Sequence, residues 1–429
     1  MKSLLFKSAR LIDPSIKMDW TGDLLAKDGV ISAVSACIAP SDGDEVINCS
    51  GTVLAPGLVD LHVHFRDPGQ TQKETLDTGC AAAANGGFTA VCTMANTVPA
   101  TDTPEAIKKC IERSRTLDCR IYPAGSVTKG LAGKELTDFE ALKESGAVCV
   151  TDDGLTVGDN VLFYAAMEQS AKVGIPISVH CETHGFEGDR AMNRGAVSSS
   201  LGLVGTPALA EEFMIMRDVF FAEKTGAHVH VQHVSSKRGV EIIAEAKRRG
   251  VDVTAEGTPH HMFLNEKDVL KYGTNAKMSP PLRLAEDAKA VREAVMSGIL
   301  DVITTDHAPH TEEEKSRGME KAPNGIIGLE TSLALCLDGL CYRRGFSIYE
   351  LIDRMSTKPR EIFSLPRVSL QPGYAADLVL IDPNYVWTVD VSKFKSKARN
   401  CPFDGWKLKG MSVMTVLGGR VTCDRRNSA

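Results

Sequence analysis

No apolar run in this 429-residue chain is long enough to cross a bilayer. Its first residues, Met1-Lys2-Ser3-Leu4-Leu5-Phe6-Lys7, lack an apolar stretch of signal-peptide length. Paired CxxC spacing is absent too. The twelve cysteines are scattered, several in strand-like apolar runs such as those holding Cys92, Cys149 and Cys336. That pattern gives a zinc finger little support and reads as reduced, mostly structural thiols. A formal net charge of −6 gives no general electrostatic case for nucleic acid or an anionic membrane. There is no internal repeat, low-complexity tract or long linker. What these absences leave is a cytoplasmic globular protein, and 43% hydrophobic with 24% charged residues suits one.

The pattern along the chain changes twice. Residues 1–55 read as short strands with tight turns, at 4–12, 23–27, 30–35 and 45–48, with Asp28-Gly29 as a hairpin signal. From 56 to 365 apolar strands alternate with helices. Strand candidates are 90–94, 120–124, 148–151, 176–180, 228–234, 252–255 and 302–305, and helical stretches include 103–116, 161–173, 238–249 and 285–297. Thr103-Pro104-Glu105 gives one helix an N-cap with proline at its first position. Alternation of this length predicts an α/β fold whose parallel sheet closes as a (β/α)₈ TIM barrel. After 366 strands return at 376–381, 386–389 and 413–417. The two terminal segments, 1–55 and 366–429, are expected to form one small β-sandwich domain beside the barrel of 56–365.

Strand ends carry the chemistry in such a barrel. His62 and His64, one residue apart, share a face only on a strand, which suits a divalent metal. Four further ends carry ligand types: Asp152-Asp153, His180, His233 and Asp306. Either Asp152 or Asp153 could reach the metals. Together these termini supply four histidines and two carboxylates, enough for two ions if one ligand is shared. Other histidines fit less well. His228 and His230 have opposite strand parity to His233 and read as structural. His260 and His261 open a helix, His184 lies in a polar loop, and His307 suits orientation of a ligand.

With these residues in view, the chain resembles the amidohydrolase superfamily and, within it, the dihydroorotases. The likeness is carried by Asp60-Leu61-His62-Val63-His64-Phe65-Arg66-Asp67-Pro68-Gly69, Lys73-Glu74, Gly86-Gly87-Phe88-Thr89 and Asn96. It continues through Asp152-Asp153-Gly154, Thr258-Pro259-His260-His261, Ser279-Pro280-Pro281-Leu282-Arg283, Asp306-His307-Ala308-Pro309-His310 and Pro372-Gly373-Tyr374-Ala375-Ala376-Asp377-Leu378. It implies a distorted barrel with two zinc ions per subunit. His62, His64 and Asp306 would hold one ion and His180 and His233 the other, with Asp153 and a hydroxide as bridges. Hydantoinase-type relatives bridge with a carboxylated lysine, and no lysine lies between Gly146 and Gly154.

The same resemblance implies a substrate clamp of Arg66, Asn96 and His310, with His64, Asn324 and Gly325 also against the substrate. Ser279 stands where the family often has asparagine, and one hydroxyl replaces one of the amide's hydrogen bonds. The implied reaction is zinc-dependent, reversible hydrolysis of dihydroorotate to N-carbamoyl-L-aspartate in pyrimidine biosynthesis, with Asp306 as catalytic acid and base. A homodimer is implied, and aspartate carbamoyltransferase as a partner. The charged segment 311–322 reads as a solvated helix or loop, with a mobile cover over the site as the alternative.

Overall fold

The structure is a computed structural model that describes residues 3–186 and 188–426. The chain is α/β. Five strands open it: β1 (Ser3–Asp13), β2 (Met18–Lys27), β3 (Val30–Ser35), β4 (Asp44–Asn48) and β5 (Val53–Pro56). Seven short parallel strands follow: β6 (Leu58–Val63), β7 (Phe88–Thr93), β8 (Arg120–Pro123), β9 (Ile177–Val179), β10 (Val229–Val231), β11 (Val253–Gly257) and β12 (Val302–Ile303). Three close the chain: β13 (Leu378–Thr388), β14 (Lys407–Leu417) and β15 (Arg420–Asp424).

The terminal strands make one mixed sheet in the order β15-β14-β13-β5-β1-β2-β3, with β4 beside β1. Its join is β13 against β5, where Leu378 to Ile381 run antiparallel to Pro56 to Val53. One face buries Leu4, Phe6, Leu11, Leu24, Ile31, Leu378 and Leu380 in a core of its own. The sheet is covered on both faces: Leu5 is buried like its neighbours Leu4 and Phe6, and Ile12, Val53, Ala55, Val379 and Ile381 pack into the main core.

The parallel segments pair in a circuit. β6, β7 and β8 are neighbours, and so are β9, β10, β11 and β12. Val150 bridges the two groups, pairing with Gly125 on one side and Ile177 on the other. His307, just past β12, pairs with Val63 of β6 and returns the circuit to its start. The strand expected at 148–151 is thus only one bridging residue wide. The segment is hydrogen-bonded on both sides all the same, Val150 N–H to Pro176 O at 3.0 Å towards β9 and Thr151 N–H to Gly125 O at 2.8 Å towards β8.

The helices pack outside this circuit, and caps fix where several begin. Thr103 accepts from the amide of Ala106, Asp159 from those of Val161 and Leu162, and Ser236 from that of Gly239. The segment 389–406 leaves the terminal sheet. Its Val389, Ala398, Cys401 and Phe403 pack with Met278, Leu282 and Ile326 above the strand ends. Segment 311–322 is two short helices, Glu312–Lys315 and Gly318–Lys321. It is solvated on one side only, because Lys315 is buried. All twelve cysteines are free, and no described helix is long and apolar enough to cross a membrane.

Candidate metal centre

β6 delivers His62, and His64 just past its end, to one place, with ring centroids 5.3 Å apart. The strand end is tied down by Asp60, which is fully buried. Its carboxylate accepts from the amides of His62 and Thr305, each at 3.1 Å, and from the Thr305 hydroxyl at 2.5 Å. Burial, only partly offset by these donors, pushes the Asp60 carboxyl up to about 7. The bond to Thr305 brings the β12 end, and Asp306 with it, against β6.

Two groups of side chains are placed to hold a cation: His62, His64 and Asp153, and Asp153, His180 and His233. In each group the ligand atoms lie within 4.8 Å of one another. Asp153 belongs to both. Its oxygens lie 3.3 Å from Nε2 of His62, 3.3 Å from Nε2 of His64 and 3.7 Å from Nδ1 of His180. Asp306 closes the first group, 3.2 Å from Nε2 of His64 and 3.6 Å from Nε2 of His62. The two adjacent aspartates separate cleanly. Asp152 accepts from the amides of Val127 and Thr128 at 2.8 and 3.0 Å and from the Thr128 hydroxyl, so it faces the loop.

Backbone geometry contributes. His233 has φ of +31° and Asp306 of +46°, and Arg66, on the rim, has +58°. L-residues seldom adopt this region, and it costs each of them roughly 1–3 kcal/mol unless the surroundings impose it. Here it turns three side chains off the strand direction and into one cavity. It also explains why the strand expected at 228–234 ends at Val231, before the residue that matters.

The donor set fits a cation. His64 Nδ1 pairs with Asn96 Oδ1 at 2.9 Å, and His62 Nδ1 with Glu256 Oε2 at 3.1 Å. A ring that donates from Nδ1 presents a bare lone pair at Nε2. Both lone pairs then face carboxylates, a repulsive arrangement unless positive charge sits between them. Nε2 of His62 and Nδ1 of His233 are buried with no hydrogen-bond partner. Nδ1 of His180 and Nε2 of His233 converge at 3.0 Å. Burial and the neighbouring His180 and His62 hold His233 down to about 3. Burial raises the Asp153 carboxyl, but the imidazoles of His62, His64 and His180 outweigh it and hold it well below the usual range. At Asp306 the neighbouring imidazoles of His64 and His62 likewise outweigh burial and hold the carboxyl below its usual range.

Glu256, at the end of β11, is a partner that the sequence pattern passed over. It is fully buried and accepts from four groups: His62 Nδ1 and His230 Nε2 at 3.1 Å, the His233 amide at 3.0 Å and the Thr304 hydroxyl at 3.1 Å. Its signal was its position, since the strand candidate 252–255 stops one residue short of it. His230 stays out of the cluster but touches it through this carboxylate. His307 bonds with Glu74 at 3.4 Å and accepts from the Gly328 amide at 3.2 Å, away from the ligands. His261 is held by Thr258 and Pro280.

A cavity of about 200 Å³ opens onto the cluster, lined by Arg66, Asn96, Asp306, His310, Asn324 and Gly325 among others, with Ser279 and Arg190 also on its wall. Arg190 is an addition to the residues expected from sequence. It pairs with Glu182 at 2.5 Å. Asn96 is more committed than a substrate contact needs to be. Its Oδ1 serves His64, and its Nδ2 donates to the Asp153 carbonyl at 3.2 Å and carboxylate at 3.1 Å. His310 Nε2 donates to the Asn324 carbonyl at 2.8 Å, which leaves Nδ1 to face Lys73 Nζ at 3.4 Å. Burial and the charges of Arg66, Lys73 and Lys315 hold His310 neutral, down to about 2. With Nε2 so used, His310 offers Arg66 no good acceptor at 3.4 Å, and the guanidinium keeps donors for a ligand. This wall is cationic.

Comparison with known proteins agrees with the geometry. Residues 51–239 match the family model described as Dihydro-orotase-like. The dihydroorotase of Clostridioides difficile (strain 630) is 43% identical over 97% of this chain and 99% of its own. The chain belongs to the dihydroorotase family. A second dihydroorotase, from Geobacter metallireducens, is 42% identical over 99% of this chain and all of its own. Among solved structures, the L-hydantoinase (dihydropyrimidinase) of Arthrobacter aurescens aligns with a TM-score of 0.88 at 27% identity, over 99% of this chain and 97% of that one. The dihydropyrimidinase of Brevibacillus agri NCHU1002 shares the fold, with a TM-score of 0.86 at 22% identity over 99% and 95%.

Proposed function

We propose that this chain opens the cyclic amide of (S)-dihydroorotate to N-carbamoyl-L-aspartate and closes it again, as a two-zinc enzyme of pyrimidine synthesis in the cytoplasm. One observation carries this reading: Asp153 is shared between two histidine groups and faces a cationic wall across a single small cavity. We take the closed circuit of parallel pairings as a distorted (β/α)₈ barrel spanning 56–365, with 1–55 and 366–429 as a small β domain. The continuous sheet of β1–β5 and β13–β15 supports that division. The proposed assembly is a homodimer, with aspartate carbamoyltransferase as a partner.

His62, His64 and Asp306 would hold one zinc and His180 and His233 the other, with Asp153 shared. Bound there, the metals supply an ionised water at neutral pH and a Lewis acid for the ring carbonyl. Asp306 is ionised and lies at the mouth of the cluster. It takes the proton of the attacking water and returns it to the ring nitrogen as the C–N bond breaks. Arg66 pairs its planar fork with the substrate carboxylate. Asn96 holds His64 and Asp153 in register, and neutral His310 holds the Asn324 carbonyl, which shapes the wall with Ser279 and Gly325. A Cβ on Gly325 would come within 2.6 Å of Ala308 Cβ and 3.1 Å of His310 Nε2, so the approach there is already close.

The test compares turnover of dihydroorotate, hydantoin and allantoin by the metal-loaded protein, wild type and Arg66→Ala. Preference for dihydroorotate, with a KM raised at least tenfold in Arg66→Ala and metal content unchanged, supports the reading. Equal or better turnover of hydantoin overturns it.

A further inference from the structure

We propose that the outer face of the helix Leu209–Thr225 is the seam of a two-fold dimer of this chain, formed by that helix packing antiparallel on its copy. The inference names the surface of the homodimer proposed above. It rests on that assembly and not on the reaction.

The inner face of the helix is ordinary core: Met214, Ile215, Val219 and Ala222 are buried against the parallel strands and neighbouring helices. The outer face is not polar, as a solvated helix requires. Leu209, Phe213, Met216 and Phe220 are 51%, 47%, 51% and 51% exposed. None of the four belongs to a core of the described residues. Their spacing of four, three and four is the seam by which one helix packs on another. Four half-exposed large side chains present roughly 400 Å² of apolar surface. That is the size at which a patch marks an interaction site. It is about half of the ~800 Å² that each partner gives to a standard interface.

The arrangement selects a second copy as occupant. The four positions are symmetric about the midpoint between Met214 and Ile215. An antiparallel copy therefore lays Leu209 against Phe220 of the second copy and Phe213 against Met216 of the second copy, and each contact occurs twice. Self-complementarity of this kind defines a two-fold interface. Glu212 falls opposite Arg217 of the second copy, whose guanidinium is held inward by Asp218 and the Val157 carbonyl, so no like charges meet across the axis. A lipid surface fits worse, because the flanks carry Glu212 and Glu223 with Lys224 as the basic residue.

The experiment measures mass by sedimentation equilibrium on the full, metal-loaded chain. Wild type is expected to be a dimer at micromolar concentration. Phe213→Lys and Met216→Glu, each folded by circular dichroism, are expected to be monomers, with dissociation constants raised at least 100-fold. Mixed one to one, the two variants are expected to pair again, because one contact becomes Lys against Glu and the other stays Phe against Met. A monomeric wild type, including one that binds phosphatidylserine vesicles, overturns the proposal. So do single variants that remain dimers, or a mixture that stays monomeric. If one variant does not fold, Leu209→Glu with Phe220→Lys repeats the test at the ends of the seam. The readout is mass and not turnover, so this result stands apart from that of the substrate comparison.

Discussion

Glu256 accepts a hydrogen bond from Nδ1 of His62 at 3.1 Å, and so decides which nitrogen of that ring faces Asp153 and Asp306. The same carboxylate holds the His233 amide, so one buried charge orients a histidine from each side of the cluster. Partners of this kind typically set metal affinity by 10–100-fold. Glu256→Gln keeps the size and one acceptor but removes the charge. It is expected to lose metal about 10–100-fold more readily in a chelator titration, with a melting temperature near that of the wild type when metal is in excess. Unchanged affinity would remove Glu256 from the centre.

Asp306 lines the cavity and touches the cluster through His64 and His62. Asp306→Asn is expected to fold normally and to lose about 10²–10⁴ in kcat, the usual worth of a positioned acid and base. Circular dichroism and metal content report the first part and steady-state kinetics the second. Turnover near the wild-type rate would exclude Asp306 as the proton carrier.

Lys315 lies in the charged segment after His310, yet it is 4% exposed. Its ammonium donates to the carbonyls of Lys277, Pro323 and Gly325 at 3.3, 3.0 and 3.0 Å. Asn400 adds a second tie, donating to the carbonyls of Ala308 and Gly325. The loop that carries Asn324 and Gly325 is therefore pinned from beneath. Lys315→Met leaves buried carbonyls unpaired and is expected to cost about 1–3 kcal/mol. It should also raise KM more than it lowers kcat. Denaturant unfolding and initial-rate kinetics check the two parts. A fall in kcat alone would mean that the loop does not shape the substrate wall.

His261 carries a pH dependence whose sign is fixed. Burial, then the nearby Arg283 charge against the bond to the Pro280 carbonyl, holds it down to about 4, while an exposed histidine titrates near 6.5. Between those values the unfolded chain binds a proton that the folded chain does not. Stability from this group is thus complete above about pH 6.5 and falls as pH drops toward 4, by roughly 3 kcal/mol in all. His261→Gln is expected to be less stable at pH 7 but to lose less on acidification. Parallel slopes for variant and wild type across pH 4–6.5 would contradict this.

Much of the site was legible because strand ends concentrate ligands. His62, His64, Asp153, His180, His233 and Asp306 do converge, and alternation on β6 was enough to pair the first two. Asp152 and Asp153 were inseparable in sequence because the choice lies in the Thr128 loop, which takes both oxygens of Asp152. Parity set His230 apart from His233, yet the left-handed turn at His233 breaks the alternation on which parity depends. Glu256 was hidden because a glutamate at a strand end carries no motif and its value comes from four donors distant in sequence. Segment 389–406 followed the terminal strands in pattern. Its packing above the strand ends depends on long-range apolar contacts that local periodicity does not encode.

The central claim is that Asp153 joins two metal ions in one working centre. The direct measurement is closure of N-carbamoyl-aspartate, followed with metal content on the same sample before chelation, after it and after zinc is returned. The account predicts two zinc ions per chain, loss of closure as they are removed, and recovery on their return, with Asp153→Ala retaining neither ion tightly. Closure that persists in metal-free protein, or full activity with both ions retained in Asp153→Ala, would contradict it.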